Sequence, residues 1–588
     1  MNVIAFDTRE RYEHWAKVQT ASPDGPVVFL SAPLPGLTEE DRRRFLTAYV
    51  DVVGQISRHD HSLMWWATDI SSKNRFFSPL IPYLEKFFKL MRAIERSPGN
   101  VLIAVGVPWE INDSVQRALT ARGIAYSWHG RAANPAVAAV KEFLLRLGRI
   151  GRHVCYILPR MAVARRSCFS SLIGAMADSR EVYAVKTFAS ARSFDAQGMY
   201  KDLFFGGLPD FLSQQRRTII LADVMDDFAQ TCALLCQKGQ GRMYPWEAFL
   251  TLPDVAQASV RMAAYNIQVP DQLMFEGQDI AQALRNICLV HGSKIQPLHF
   301  YQYFMMKRFL KCFKVKELAL TCEFNPWEKM CLMAVKENSP STRTFGYQHT
   351  VVPQASANMF TSRFEEGIVP RPDVVVTVGE KPKAIIHRYE TCAPSPVKTG
   401  CGLRFAYLSA QGQSPRSAGG RILLALEGLP QVVGMTDYVL NELAGDDRYR
   451  LRIRTHPVLP LEKFVRGLTV DPRRTPGMEV SSGTSLQEDI AWADIVVYWG
   501  STVALEALGM GKPVVHYDDG SLLSYDPLFE LEDFKWRVQA PQRLAPVLEE
   551  IALLPDGEYA SRLRAARQYI AEYFHPVTPA AMNIFLEG

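Results

Sequence analysis

A chain of 588 residues with 48% hydrophobic and 22% charged content is too long for a single core and too apolar to be disordered, so two or three globular domains are expected. The net charge of +5 is small for this size; it gives no reason to expect nucleic acid as a partner, yet it tolerates an anionic ligand or a membrane surface. The ten cysteines include no CxxC pair, and Cys232 and Cys236 have no His or Cys nearby to complete a metal set, so reduced buried thiols are expected.

The opening stretch, MNVIAFDTRERYEHWAK, carries no basic region followed by an apolar core, so no signal peptide is expected. No apolar run reaches the ~18–20 residues of a membrane-spanning helix, and the expected location is the cytoplasm. From Val27 to about Tyr126 strand and helix alternate. Val27–Ala32 and Leu63–Asp69 read as strands, Pro79 to Ile94 as an amphipathic helix, and Val101–Val107 as a strand before a helix ending near Gly123. That is a small doubly wound α/β unit. Residues from about 130 to 151 read as helical and basic.

A second α/β stretch begins with strands near Val182–Phe188 and Thr218–Val224, separated by a turn at Gly206, Gly207 and Pro209. Residues 225–313 read as a helix-rich insertion broken at Pro245, Pro253 and Pro270. Within it Lys307–Lys316, KRFLKCFKVK, is basic with interleaved aromatics. This fits a peripheral contact with the inner face of the cytoplasmic membrane or, the preferred reading, a solvated helix end. The strand Lys316–Glu323 leads into a helix at Asn325-Pro326, proline taking the favoured first-turn position. Strands Thr342–Thr350 and Asp373–Gly379 follow. Ser409–Gly420, SAQGQSPRSAGG, is polar, rich in Gly and Ser and without apolar period, the clearest linker in the chain. Two α/β lobes are therefore expected, 1–408 and 421–588, joined by 409–420, with a ligand cleft between strand C-terminal ends.

Beyond the linker, alternation resumes with RILLALEG, a helix near Asp437–Leu443 and the strand YRLRIRTHP. Ala493–Asp518 then reads as strand (Ile495–Tyr498), glycine turn (Gly500), hydroxyl pair (Ser501, Thr502), helix to about Gly509 and strand (Val514–Tyr517). Such a βαβ unit offers N–H groups and the positive end of a helix dipole to a phosphate. Thr502 and Glu506 share a helix face, where a carboxylate takes both hydroxyls of a ribose. Helices Gln542–Leu553 and Tyr559–Tyr573 close the chain.

Three strand ends of this lobe present polar groups after apolar runs: Glu427-Gly428, His456-Pro457 and Ser501-Thr502. In a parallel sheet such ends converge on one edge. Arg452 and Arg454 share a strand face, either beside the phosphate or in a structural salt bridge. In the first lobe Glu323 ends an apolar strand, as a cleft carboxylate or as a helix cap shared with Asn325. His349 ends the next strand. Asp69 ends a strand of the first unit, just before Lys73, Asn74 and Arg75.

The set EG, HP and GST with a following Glu resembles the nucleotide lobe of GT-B-type glycosyltransferases. It is most similar to enzymes using CMP-activated 2-keto sugars, the bacterial sialyltransferases and 3-deoxy-octulosonate (Kdo) transferases. Upstream, WWATDISSKNRFFSPL (Trp65–Leu80), CEFNPWEK (Cys322–Lys329) and FGYQH (Phe345–His349) resemble a family of bacterial surface-carbohydrate (capsule and O-antigen) biosynthesis proteins. The fold this implies is α/β, with two Rossmann-like lobes facing a cleft and a helical elaboration in the N-terminal lobe. The activity it implies is transfer of Kdo or another nonulosonic acid from its CMP donor to a surface-polysaccharide or lipid-linked glycan, without cofactor. In that likeness His456, Pro457, Gly428, Gly500, Ser501, Thr502, Glu506 and Arg454 bind the nucleotide sugar. Glu427, Glu323 and His349 carry the chemistry, and Asp69 and Lys73 bind acceptor. A carboxylate such as Glu427 serves as general base in inverting members and as nucleophile in retaining ones, and the residues fit both.

GSTVALEALGMGKPVV is also close to UDP-sugar enzymes, so a UDP- or other NDP-hexose donor is the alternative, and a non-catalytic glycan-binding scaffold of the same fold is a third reading. No DxD triplet ends a strand, neither at Asp223 and Asp226 nor at Asp518-Asp519, so no metal requirement is expected. Neither GxxxxGK[ST] nor a strand-borne GxGxxG is present.

Overall fold

The computed structural model describes residues 2–6, 27–34, 36–96, 101–105, 107–195, 197–238, 241–410, 416 and 420–587. The expected linker at 409–420 falls mostly outside the described residues, as does the opening stretch beyond Phe6.

Before the linker the chain forms two separate parallel sheets. The first has four strands, β1 (Asn2–Phe6), β2 (Val27–Phe29), β3 (Val101–Val105) and β4 (Ala125–His129), in the order β2-β1-β3-β4. The second has seven: β5 (Val182–Ala189), β6 (Thr218–Val224), β7 (Met243–Pro245) and, after a two-stranded hairpin of β8 (Met274–Phe275) and β9 (Gln278–Asp279), β10 (Val315–Thr321), β11 (Arg343–Tyr347), β12 (Val374–Thr377) and β13 (Val397–Thr399). Its order is β13-β12-β11-β10-β5-β6-β7. After the linker come β14 (Arg421–Ala425), β15 (Arg450–Arg454), β16 (Met478–Val480), β17 (Ile495–Tyr498), β18 (Val514–Tyr517) and β19 (Lys535–Val538), ordered β16-β15-β14-β17-β18-β19. All pairings in these three sheets are parallel. Strands such as Val374–Thr377 and Ile495–Tyr498 are buried along their whole length, as sheets covered by helices on both faces require.

The two larger sheets are Rossmann-like lobes, and their order decides where a ligand can sit. Each is doubly wound, reversing direction once: between β5 and β10 in the seven-stranded sheet, and between β14 and β17 in the six-stranded one. Open α/β sheets bind ligands at the carboxyl edge where the order reverses. Glu323 lies just beyond β10, Glu427 just beyond β14, and Gly500-Ser501 just beyond β17. Topology alone therefore brings these residues to the two reversal points.

The lobes are tied together by the chain's last helices. The Val352 amide donates to the Tyr573 hydroxyl at 3.0 Å, and the Tyr183 hydroxyl donates to the Phe585 carbonyl at 2.9 Å. The four-stranded unit touches both lobes: Arg42 pairs with Asp518 of the six-stranded lobe at 2.9 Å with both side chains buried, and Lys73 pairs with Glu365 of the seven-stranded lobe at 2.6 Å.

Leu63–Asp69 is not a strand. Trp65 and Trp66 are both fully buried, which alternate faces of a half-buried strand do not allow. Ser62 accepts from the Trp65 amide at 3.2 Å and the chain winds into a helix at Leu63–Trp66. The helix expected over about 130–151 spans Pro135–Met176 and passes through Pro159. Its buried side, Arg146, Ile150, Ile157, Met161, Ala164 and Cys168, keeps a three-to-four spacing across Gly148 and Gly151, so packing carries the helix past both glycines. In Lys307–Lys316 the aromatics are core residues: Phe309 and Phe313 are buried, and Lys314 pairs with Glu181 at 2.8 Å. No helix among the described residues is long and apolar enough to cross a membrane.

Candidate active site

A cavity of about 450 Å3 opens between the two larger lobes. The six-stranded lobe contributes Glu427, Arg454, His456, Pro457, Gly500, Ser501, Thr502, Glu506 and Tyr525; the seven-stranded lobe contributes Glu323, Thr350, Ser356 and Asn358; Asn74 and Phe76 reach in from the four-stranded unit. Arg404, from the segment leading to the linker, stands at the same cavity.

The glycine of each motif makes room for a ring. A Cβ on Gly428 would lie 2.7 Å from His456 Nδ1, and one on Gly500 would overlap the Tyr525 ring. Gly428 itself does not line the cavity; it lets the imidazole of the HP motif lie against the EG turn. His456 is held from below, since the Val458 amide donates to Nδ1 at 3.2 Å and the Leu459 amide to its carbonyl at 2.9 Å. With Nδ1 accepting, the neutral ring carries its proton on Nε2. Burial, assisted by the Arg404 charge, lowers the His456 pKa and favours that neutral form. Tyr525 stacks on Trp499 with centroids 5.3 Å apart and meets the edge of Phe76 at 5.2 Å.

Three carboxylates face the cavity in different states. Burial raises the Glu427 pKa, opposed by a hydrogen bond from Ser501, the Gly428 amide and Arg404. Burial pushes Glu506 up to about 7, opposed only by Arg404. Glu506 is 5% exposed, and among the described residues its carboxylate has no hydrogen-bond donor. It lies in the helix Val503–Gly509, with Thr502 as N-cap and the Ser501 hydroxyl accepting from the Val503 amide at 3.2 Å. Glu323, on the opposite wall, accepts from Asn325 Nδ2 at 2.9 Å, and its own amide donates to Glu328 at 2.9 Å. Asn325 and Glu328 form the capping box of the following helix, so the helix start fixes where Glu323 points.

Several expected residues are placed elsewhere. His349 is buried behind Glu323, with Nε2 4.0 Å from Glu323 Oε1, its Nδ1 unpartnered and its ring against Phe204. Arg454 borders the cavity, but its guanidinium is engaged by Asp489, as is that of Arg452; the salt-bridge alternative holds for both. Lys73 is turned away from the cleft: its ammonium pairs with buried Glu365 at 2.6 Å and donates to the Phe360 carbonyl at 2.8 Å. Asp69 is also outside the cavity, 3% exposed, with burial raising its pKa to about 7. Neither acceptor candidate reaches the cleft.

Arg404 is the residue that motif reading does not find. It is exposed, makes no ion pair among the described residues, and its charge acts on Glu427, Glu506, His456 and His349. It ends no strand; the one pointer in the sequence is its place just ahead of the linker, where a side chain faces both lobes. Among the described residues no three His, Cys, Asp or Glu side chains converge as a metal set.

The site thus combines an imidazole N–H, a hydroxyl and two burial-raised carboxylates on the wall of the six-stranded lobe with a third carboxylate opposite and the unpaired guanidinium of Arg404. Such an arrangement can hold an anion, accept hydrogen bonds from vicinal hydroxyls, and take up a proton.

No protein-family profile matches the chain, and no curated protein matches it. Solved structures do. The calicheamicin glycosyltransferase CalG4 is 14% identical with a TM-score of 0.39, covering 69% of this chain and 98% of its own. MurG from Acinetobacter baumannii is 11% identical with a TM-score of 0.37 over 69% and 98%. Anabaena HepE in complex with UDP-glucose is 12% identical with a TM-score of 0.37 over 69% and 99%. At these identities and scores the likenesses assign no function; the two-lobed, GT-B-type architecture rests on the sheets described above.

Proposed function

We propose that this chain is a glycosyltransferase that moves a 2-keto sugar acid, Kdo or another nonulosonic acid, from its CMP donor to a surface-polysaccharide or lipid-linked glycan. The observation that carries the reading is Glu506: a buried carboxylate without a donor, facing a cavity at the reversal point of a doubly wound sheet, beside Ser501 and His456. A nucleotide supplies what is missing there. Its ribose hydroxyls donate to Glu506, its phosphate accepts from His456 Nε2 and from the Ser501 hydroxyl, which turns to it from Glu427, and Arg404 meets the second anion that distinguishes a keto sugar acid from a neutral hexose.

In the reaction an acceptor hydroxyl attacks the anomeric carbon, the bond from that carbon to the phosphate oxygen breaks, and its electrons leave with CMP. The acceptor proton passes to Glu427, whose proton affinity burial raises. His456 stabilises the departing phosphate by hydrogen bonding, without giving up its proton. Glu323 faces the developing oxocarbenium charge from the other wall. His349 positions Glu323.

The test is a melting scan with CMP, UDP and GDP, followed by a donor panel scored for released nucleotide, with and without EDTA. A ligand at 100 times its Kd stabilises by roughly 2.7 kcal/mol. Stabilisation by CMP and CMP release from a keto-sugar donor, insensitive to EDTA, is the expected result. UDP release alone overturns the donor class, and full turnover by the double variant Glu427→Ala, His456→Ala overturns the site.

A further inference from the structure

The helix Pro135–Met176 has 42 residues, roughly 63 Å at 1.5 Å per residue. Among the described residues, eleven of the nineteen exposed large apolar side chains stand on it, and soluble surfaces do not ordinarily gather them so. They are ordered. Val137, Val140, Leu144 and Leu147 follow one another at three or four residues, as do Phe169, Ile173 and Met176, so they form a stripe along an exposed side of the helix, next to the packed one. Val137 is 63%, Leu144 61% and Phe169 65% exposed.

The same outer side is basic. Lys141, Arg152 and Arg166 are exposed, flank the apolar stripe, and have no acidic partner among the described residues. The helix contains one acidic residue, Glu142, and it is buried and paired inward with Arg146 at 2.7 Å and Arg149 at 3.2 Å. Nothing negative faces outward along the whole length.

We propose that this face docks the protein on an anionic phospholipid bilayer, the helix lying in the interface with its apolar stripe among the acyl chains and its basic row against headgroups. An amphipathic helix with Lys and Arg beside bulky apolar residues is the chemistry of interfacial binding. The charge pattern selects lipid over a second copy of the chain. A symmetric pairing through this face would set one basic row, Lys141, Arg152 and Arg166, against the other with no carboxylate of the helix to pair them. This face is independent of the transfer reading and is a different element from Lys307–Lys316, whose aromatics are core.

The experiment is flotation of the full-length protein with vesicles of phosphatidylcholine alone and with vesicles containing phosphatidylglycerol at roughly a third of the lipid. Binding to the anionic vesicles, falling as salt is raised, is expected. The variant Lys141→Glu, Arg152→Glu, Arg166→Glu should lower partition by roughly a hundredfold, at about a fivefold loss per basic residue. A second variant, Leu144→Ser, Phe169→Ser, Ile173→Ser, should lower it at both low and high salt. All six positions are exposed, so circular dichroism and the melting temperature should stay at wild-type values. Absence of binding to anionic vesicles, or wild-type binding by both variants, overturns the proposal. So does a wild-type dimer that the serine variant dissociates, with no vesicle binding; that result would assign the face to a second copy.

Discussion

Replacing Glu506 by Gln should make the free protein more stable above neutral pH and, at the same time, a poorer nucleotide binder. Burial holds the Glu506 carboxyl near 7 instead of 4.5. Each pH unit between those values is worth about 1.4 kcal/mol, so ionising Glu506 in the folded state costs roughly 3 kcal/mol. The direction follows from proton binding. Below about pH 4.5 the group is protonated in both states and costs nothing. Between about 4.5 and 7 the unfolded chain ionises first, so stability falls as pH rises, and above about 7 the whole cost is present.

Glutamine has no such dependence. The melting temperatures of variant and wild type should therefore nearly coincide at pH 5 and separate by on the order of 5 °C at pH 8, the variant higher. Calorimetry at the two pH values reads this directly. Titration with CMP at pH 8 should show the opposite ranking. Hydrogen bonds from ribose hydroxyls to a charged carboxylate are worth about 1.5–3 kcal/mol, and their weakening should cost the variant roughly ten- to a hundredfold in affinity. An equal temperature gap at pH 5 and pH 8 would refute the reasoning, because it would mean that the carboxylate is not held desolvated and partnerless in the empty cleft.

Gly428→Ala puts a methyl 2.7 Å from His456 Nδ1; turnover should fall by roughly tenfold or more, and the loss of stability should stay within about 1–3 kcal/mol, measured by steady-state rates and denaturant unfolding. Arg404→Ala removes the cation that lowers Glu427, Glu506 and His456 together, so the acid limb of the kcat/KM profile should move to higher pH and donor affinity should drop by about tenfold. Lys73→Met leaves Glu365 buried without its partner; urea unfolding should show a loss of about 3–5 kcal/mol, while CMP affinity of the folded fraction should be unchanged, in keeping with a lysine turned away from the cleft.

What the sequence made legible about this site follows from the period of its elements. In these parallel sheets β10, β14 and β17 end in buried runs, so a polar residue just after such a run emerges at the carboxyl edge; β15 alternates instead, and His456 follows it by the same chain order. Glu323, Glu427, His456 and Ser501 were readable for that reason, and all four line the cavity. The same rule failed at Asp69 because the run before it is not a strand. LMWW is apolar enough for one, but Ser62 caps a helical turn and both tryptophans go inward. His349 obeys the rule and still does not line the cavity; it is buried against Phe204, with Glu323 4.0 Å from its Nε2. Short edge strands such as Met478–Val480 and Lys535–Val538 carry charged residues that hide their apolar pattern, which concealed the complete doubly wound order. Arg404 belongs to a different kind of fact. The groups its charge acts on, Glu427, Glu506 and His456, come from two strand ends and a helix of the other lobe, and nothing periodic in the residues around it encodes that convergence. A side chain placed where two lobes meet depends on how the lobes are docked, and that docking is set by contacts such as those of Tyr573 and Phe585, more than a hundred residues further along the chain.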